Sequence, residues 1–122
     1  MNSAYKVVYY ETEQGRCEIE EYINLLNSKT DKDSRIKLTK IAEYIRRLQA
    51  YGTTIGKPTI DKIEGTELWE LRPLRDRIFF AYWKDNMFVL LHYFVKKTNK
   101  TPKSEIEQAE RNLKDWKERF GE

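Results

Sequence analysis

The sequence is poor in the residues that build most metal and redox sites. It holds one cysteine, Cys17, and one histidine, His92. A single thiol excludes an intramolecular disulfide, and one Cys with one His is too little for a usual zinc site. We therefore expect no metal and no cofactor. There is no Walker loop, no GxGxxG, no CxxC and no HExxH, so nucleotide-loop, thioredoxin-type and zinc-protease chemistry have no sequence support. No nucleophile-elbow sequence supports a Ser–His–Asp triad. Long hydrophobic runs are missing too. Met87 to Leu91 is an unbroken apolar stretch, far short of the roughly 20 residues a bilayer span needs. The opening Met1-Asn2-Ser3-Ala4-Tyr5-Lys6 carries no signal-peptide pattern. With the lone thiol, this leads us to expect a reducing, cytoplasmic setting and no membrane partner.

What is present fits one domain, residues 1–122, since the chain is too short for two comfortable cores. Apolar residues make up 39% and charged residues 35%, a globular rather than disordered balance. Aromatics reach 13% and can supply much of the buried area that a small domain lacks. Net charge is only +3, but it is unevenly spread. Between Arg72 and Lys103 stand eight basic residues (Arg72, Arg75, Arg77, Lys84, Lys96, Lys97, Lys100, Lys103) and two acids, Asp76 and Asp85. That segment carries +6, leaving −3 for the remainder. A basic segment in a nearly neutral protein points to a localised anion-binding face; its plain alternative is a solvated charged surface.

Periodicity gives the element order. Ala4 to Tyr10 reads as a first strand. Ile19, Tyr22, Ile23 and Leu26 recur at helical spacing, and after a break at Asn27–Thr30, Asp31 or Asp33 caps a second helix. Leu38, Ile41, Ala42, Ile45 and Leu48 form its stripe, and Gly52 ends it. Four strands follow: a weak one over Thr59–Ile63, then Leu68–Arg72, Arg77–Trp83 and Met87–Lys97. Lys84-Asp85-Asn86 makes a tight hairpin connection between the last two. Thr101 with Pro102 opens a final helix, Thr as cap and Pro at the first helical position, with Ser104 and Glu107 as a competing capping box. Ile106, Ala109, Leu113, Trp116 and Phe120 lie on one face of it; that stripe could pack on the sheet or bind another chain. The expected class is α+β, a mostly antiparallel sheet of about five strands with an N-terminal helical hairpin on one face and a C-terminal helix. The other face could stay wet and bind.

Strand parity places the chemistry. Trp69 and Leu71 point one way, Glu70 and Arg72 the other. Arg77, Phe79, Ala81 and Trp83 share a face. His92 shares one with Lys96, and Lys97 points opposite. Arg72, Arg77, His92 and Lys96 or Lys97 could thus converge near one end of adjacent strands, though the register is not fixed. Such a set suits RNA cleavage without a metal. The ribose 2′-OH attacks the adjacent phosphorus, and fixed cations stabilise the phosphoryl oxygens in the transition state. His92 is the one side chain whose ordinary pKa suits proton transfer near neutrality. Against this, a lone strand histidine is commonly a packed core residue. Arg72 and Arg77 could simply pair with Glu70 and Asp76 on the surface, an arrangement of little energetic weight.

Several stretches resemble the phage-related RelE/HigB branch of type II toxins. They are Leu68-Trp69-Glu70-Leu71-Arg72, Arg77-Ile78-Phe79-Phe80-Ala81-Tyr82, Leu90-Leu91-His92-Tyr93-Phe94-Val95-Lys96-Lys97-Thr98, Lys100-Thr101-Pro102 and Glu105-Ile106. The resemblance implies a RelE-like fold and a toxin that cleaves mRNA in the ribosomal A site. It also implies a cognate antitoxin, of HigA type with a helix-turn-helix domain. By this resemblance Arg72, Arg77, His92, Lys96 and Lys97 are the catalytic candidates, with Arg75, Lys100 and Lys103 as RNA-binding residues. Two departures stand out. Ile106 and Glu107 occupy the neighbourhood of the catalytic tyrosine of RelE proper, and Leu68 and Glu70 stand where RelE has further lysines. More of the acid–base work then falls to His92. The alternative function is a non-catalytic module that holds nucleic acid or an antitoxin.

Overall fold

The two most apolar strands, β4 (Asp76–Tyr82) and β5 (Met87–Val95), lie at the centre of the fold. Asp85 and Asn86 join them at φ of 53° and 59°, and the Met87 N–H closes the turn on the Lys84 carbonyl at 2.9 Å. Short polar side chains tolerate this left-handed backbone, which matches the twist of the flanking strands. The computed structural model describes residues 4–122. The opening Met1-Asn2-Ser3, part of the segment read for a targeting pattern, lies outside the described residues. The remaining elements are β1 (Lys6–Tyr9), α1 (Glu18–Ser28), α2 (Lys32–Tyr51), a 3-10 turn (Gly52–Ile55), β2 (Ile60–Lys62), β3 (Trp69–Leu71) and α3 (Lys103–Phe120). The sheet runs β1-β5-β4-β3-β2. Its neighbours are antiparallel except β1, which pairs with β5 in parallel, Lys6 opposite Met87. Among the described residues no helix is long and apolar enough to cross a membrane.

The helical hairpin covers one face. Asp31 starts α2 by accepting the Ser34 N–H at 2.9 Å, and Gly52 ends it at φ 61°. Ile19, Leu26, Ile41, Ile45 and Leu48 bury themselves against Leu71, Ile78, Phe80, Phe88 and Leu90. The other face is not open. Ala109, Leu113 and Trp116 of α3 cover Leu68, Phe79, Ala81, Val89 and Leu91. That corrects the expectation of a wet sheet face, and the reason is physical. Both the helix stripe and this sheet face are apolar, and each Å² left in water forgoes about 25 cal/mol. Trp83 pins the far end of the helix, its Nε1 donating to the Gly121 carbonyl at 2.7 Å while its ring meets Trp116 edge-on.

The start of α3 also differs from expectation. Pro102 holds the cap position, its carbonyl accepting from Glu105 and Ile106, and no side chain caps the helix. The Thr101 hydroxyl donates instead to Glu70 Oε2 at 2.9 Å. That bond to a buried carboxylate is charge-assisted, and it directs the hydroxyl towards β3. A bulge breaks the β4–β5 register: Phe79 faces His92 but Phe80 faces Leu90. Leu91 is therefore an extra residue, and Leu91 and His92 both fall on the α3 side. Simple alternation cannot foresee this.

Asp76 ties the hairpin to the sheet. It is fully buried at the start of β4. Its Oδ1 accepts from the Tyr22 hydroxyl of α1 at 2.7 Å and lies 3.5 Å from Lys37 Nζ of α2. Tyr22 stacks on Tyr93 of β5 at 4.3 Å. Burial, and then the bond to Asp76, hold the Tyr22 hydroxyl well above the usual tyrosine range; burial also raises Tyr93. The unfolded chain therefore loses these protons first. Stability should be complete below about pH 10, fall as pH rises above it, and go on falling through the folded values. Tyr22→Phe should cost roughly 1.5–3 kcal/mol at neutral pH and flatten the alkaline decline. Urea unfolding at pH 7 and through the alkaline range checks both, and an unchanged midpoint at pH 7 would contradict the bond's role.

Candidate nucleic-acid interface

The turn between β3 and β4, Arg72–Arg75, gathers the arginines. Parity puts Glu70 and Arg77 on one side of neighbouring strands, and the structure brings them together there, Glu70 being opposite Phe79 across the ladder. Glu70 is almost completely buried. Its Oε1 lies 3.7 Å from Arg72 Nε and 3.9 Å from Arg77 Nε, and its Oε2 takes the Thr101 hydroxyl. Arg77 is buried as well, with 9% of its side chain exposed. Its Nη1 donates to the carbonyls of Leu74 and Asp76 at 2.8 and 2.9 Å, while its Nε makes no hydrogen bond among the described residues. Burial, then the neighbouring Arg72, lower its pKa, and Glu70 works against them. A guanidinium remains a cation even so. Arg75 clamps the Lys96 carbonyl with Nε and Nη2 at 3.1 and 2.8 Å, and the Lys96 N–H returns to the Arg75 carbonyl at 2.8 Å.

Arg72, Arg75, Arg77 and Lys96 thus share one end of the sheet. Lys97, Lys100 and Lys103 lie exposed just beyond, and with Lys96 they form no ion pair among the described residues. The first turn of α3 adds its own partial positive charge to this end. The surface-pairing alternative for Arg72 and Arg77 is half right: they do pair with Glu70, but inside the protein, where the geometry is held. Leu74, at φ 57°, is the bulky residue of the turn, in a conformation that costs a side chain about 1–2 kcal/mol.

His92 sits apart from this group, on the same side of the sheet. Arg77 faces Phe94, and His92 is two residues back along β5, which makes Arg77 and His92 diagonal neighbours roughly 7–8 Å apart. The imidazole lies parallel to Phe79. Its Nε2 donates to Glu105 Oε1 at 2.7 Å, and its Nδ1 lies 3.5 Å from Glu18 Oε2 without a hydrogen bond. It lies in the wall of a cleft of about 510 Å³ lined by Glu18, Glu21, Tyr22, Tyr93 and Glu105. The carboxylates Glu18, Glu21 and Glu105 repel phosphate, so this cleft suits proton handling better than anion binding. A similar cleft of about 550 Å³ along α3 carries Glu67, Glu110, Glu118 and Glu122 against Lys114 and Lys117, a net acidic lining that is no better for RNA. The sequence alone offered Glu70 to the arginines only as a surface partner, and it missed Glu105 as the histidine's partner. Glu70 had one signal, an acid on the same strand face as Arg72.

A protein-family model, described as phage-derived protein Gp49-like, matches residues 28–114. No curated protein matches. Among solved structures, the RelE–RelB complex from the archaeon Pyrococcus horikoshii OT3 is similar at 21% identity, covering 75% of this chain and 94% of that one with a TM-score of 0.50. At that identity the likeness is one of fold, and the fold is RelE-like.

Glu70→Gln should leave two arginines around an uncharged site, costing roughly 1–3 kcal/mol in urea unfolding. Arg72→Gln added to it should recover part of that loss, because the cations repel. Independent, additive effects of the two substitutions would contradict the shared pairing.

Proposed function

The chain belongs to the phage-derived Gp49-like family of RelE-like toxins, and on that premise we propose that it is the toxin of a type II toxin–antitoxin system, a ribosome-dependent endoribonuclease that cuts mRNA and stops translation. The observation that carries this reading is the gathering of Arg72 and Arg77 about the buried Glu70, with Arg75 clamped to Lys96 beside them. Fixed cations in a desolvated setting stabilise phosphoryl charge far better than mobile surface lysines. Arg72 offers a partly exposed guanidinium to a phosphoryl oxygen, and Arg77, buried behind it, adds a fixed positive charge. Lys97, Lys100 and Lys103 hold flanking phosphates, as does the exposed Arg75, which also shapes the turn.

The 2′-oxygen attacks the adjacent phosphorus, the P–O5′ bond breaks, and a cyclic phosphate remains. The 2′-OH proton passes to solvent water and the 5′-oxygen gains one from His92. His92 serves the second step as general acid, with Glu105 fixing its ring at Nε2, once the RNA displaces Glu18 from the Nδ1 side. No metal takes part, since the cations already provide the counter-charge. The single domain works in the cytoplasm, and a HigA-like antitoxin restrains it. One observation favours a second reading, a module that binds RNA without cutting: His92 Nε2 is already engaged by Glu105.

The test is purified protein with programmed ribosomes and end-labelled mRNA, with and without EDTA. Cleavage at the A-site codon should survive EDTA. Arg77→Ala should reduce it by about 10²–10³, and His92→Gln by about 10²–10⁴, with both variants folded by circular dichroism. Full cleavage by both would remove these residues from the site. Salt-sensitive binding with intact RNA would favour the second reading.

A further inference from the structure

Leu74 stands out in the basic turn. It holds the first central position of a turn closed by the Asp76 N–H on the Pro73 carbonyl at 3.0 Å, with φ at 57°. Glycine is the ordinary residue in such a place, because a Cβ is strained there. The other non-glycine residues with this backbone among the described residues are Asp85 and Asn86, whose short polar side chains tolerate it. Leu74 has neither excuse, and its side chain gains no burial in return: the residue is 48% exposed. The conformation is imposed from below, where Arg77 Nη1 takes the Leu74 carbonyl and Pro73 is fully buried. A half-exposed isobutyl group is thereby held on the turn that also carries Arg72 and Arg75, side chains suited to hold phosphates.

We propose that Leu74 is a nucleobase contact, its side chain packing on the face of one unpaired base whose flanking phosphates lie on Arg72, Arg75 and Lys96. The inference rests on the RNA-binding reading above. Cations alone grip any backbone, whereas an apolar wedge beside them selects single strands, whose bases are free to splay out. A base face can cover the wedge while the phosphates keep their partners, which a duplex cannot offer. Exposed strain of this kind is retained at functional sites rather than in passive turns.

The experiment measures binding of fluorescein-labelled single-stranded RNA decamers by anisotropy, for wild type, Leu74→Gly and Leu74→Asn. Both replacements suit the left-handed backbone, so thermal unfolding should occur at the wild-type temperature or higher. Affinity should fall about fivefold, with an unchanged salt slope because no phosphate contact is lost. A set of decamers, each with one abasic site, completes the cycle. At one position the abasic site should weaken wild-type binding by a similar factor and leave Leu74→Gly unaffected. Wild-type binding with no loss in either variant would overturn the inference alone. So would a loss that is the same at every abasic position, which would make Leu74 a turn former only. Unchanged RNA binding with weakened antitoxin binding would assign the side chain to the antitoxin instead. No RNA binding by wild type would overturn this inference and the reading beneath it together.

Discussion

A carboxylate buried beside two arginines constrains this end of the molecule. Glu70 cannot stay charged in the interior without cations, and the arginines cannot be buried without it. The same side chain takes the Thr101 hydroxyl, so it also fixes where the chain leaves β5 and enters α3. One residue therefore sets the positions of Arg72 and Arg77 and the approach of Lys100 and Lys103. The ion-pair distances, near 3.7–3.9 Å, are loose for hydrogen bonds. Loose pairing leaves the partly exposed Arg72 guanidinium able to turn to a ligand while its charge is balanced in the ligand's absence. A tight bidentate pair would have stabilised the fold more and bound phosphate less.

The second constraint is a sheet covered on both faces. With the hairpin on one side and α3 on the other, the sheet has no broad open surface, and a binding site has to use an end. The β3–β4 turn and the stretch from Lys96 to Lys103 meet at that end through the Arg75–Lys96 clamp. The bulge at Leu91 brings His92 to the α3 side, within reach of Glu105. Asp76 works from the opposite face, joining Tyr22 and Lys37 to the first residue of β4. The basic turn is therefore braced from both layers. Leu74 is held left-handed between these braces.

Much of this was legible in the sequence for physical reasons. Long runs such as Leu38–Leu48, with one apolar stripe, and Ile78–Tyr82, apolar at every position, declare their element, because burial rewards apolar side chains wherever a face is covered. The Asp85-Asn86 turn and the Asp31 cap follow from local chemistry. Parity correctly paired Glu70 with Arg72, and Arg77 with Phe79. What stayed hidden depends on partners far away in the chain. The burial of Glu70 needs Thr101, the tether of His92 needs Glu105, and the bulge at Leu91 leaves no local mark. The wet face was wrongly expected because the apolar stripe of α3 suits a sheet and a partner equally well. The Thr101 cap was wrongly expected because its hydroxyl is oriented by a distant carboxylate that the local sequence does not reveal.

The central claim is that RNA binds at the basic turn end of the sheet. The most direct measurement is a nuclear magnetic resonance titration of isotope-labelled protein with a short 2′-O-methyl RNA, which binds but lacks the attacking hydroxyl. The account predicts that the amide and guanidinium signals of Arg72, Leu74, Arg75, Arg77 and Lys96 shift first and most, with Lys97, Lys100 and Lys103 following. Shifts confined to the outer face of α2 or to the acidic groove along α3, with the arginine signals of the turn unmoved, would contradict it.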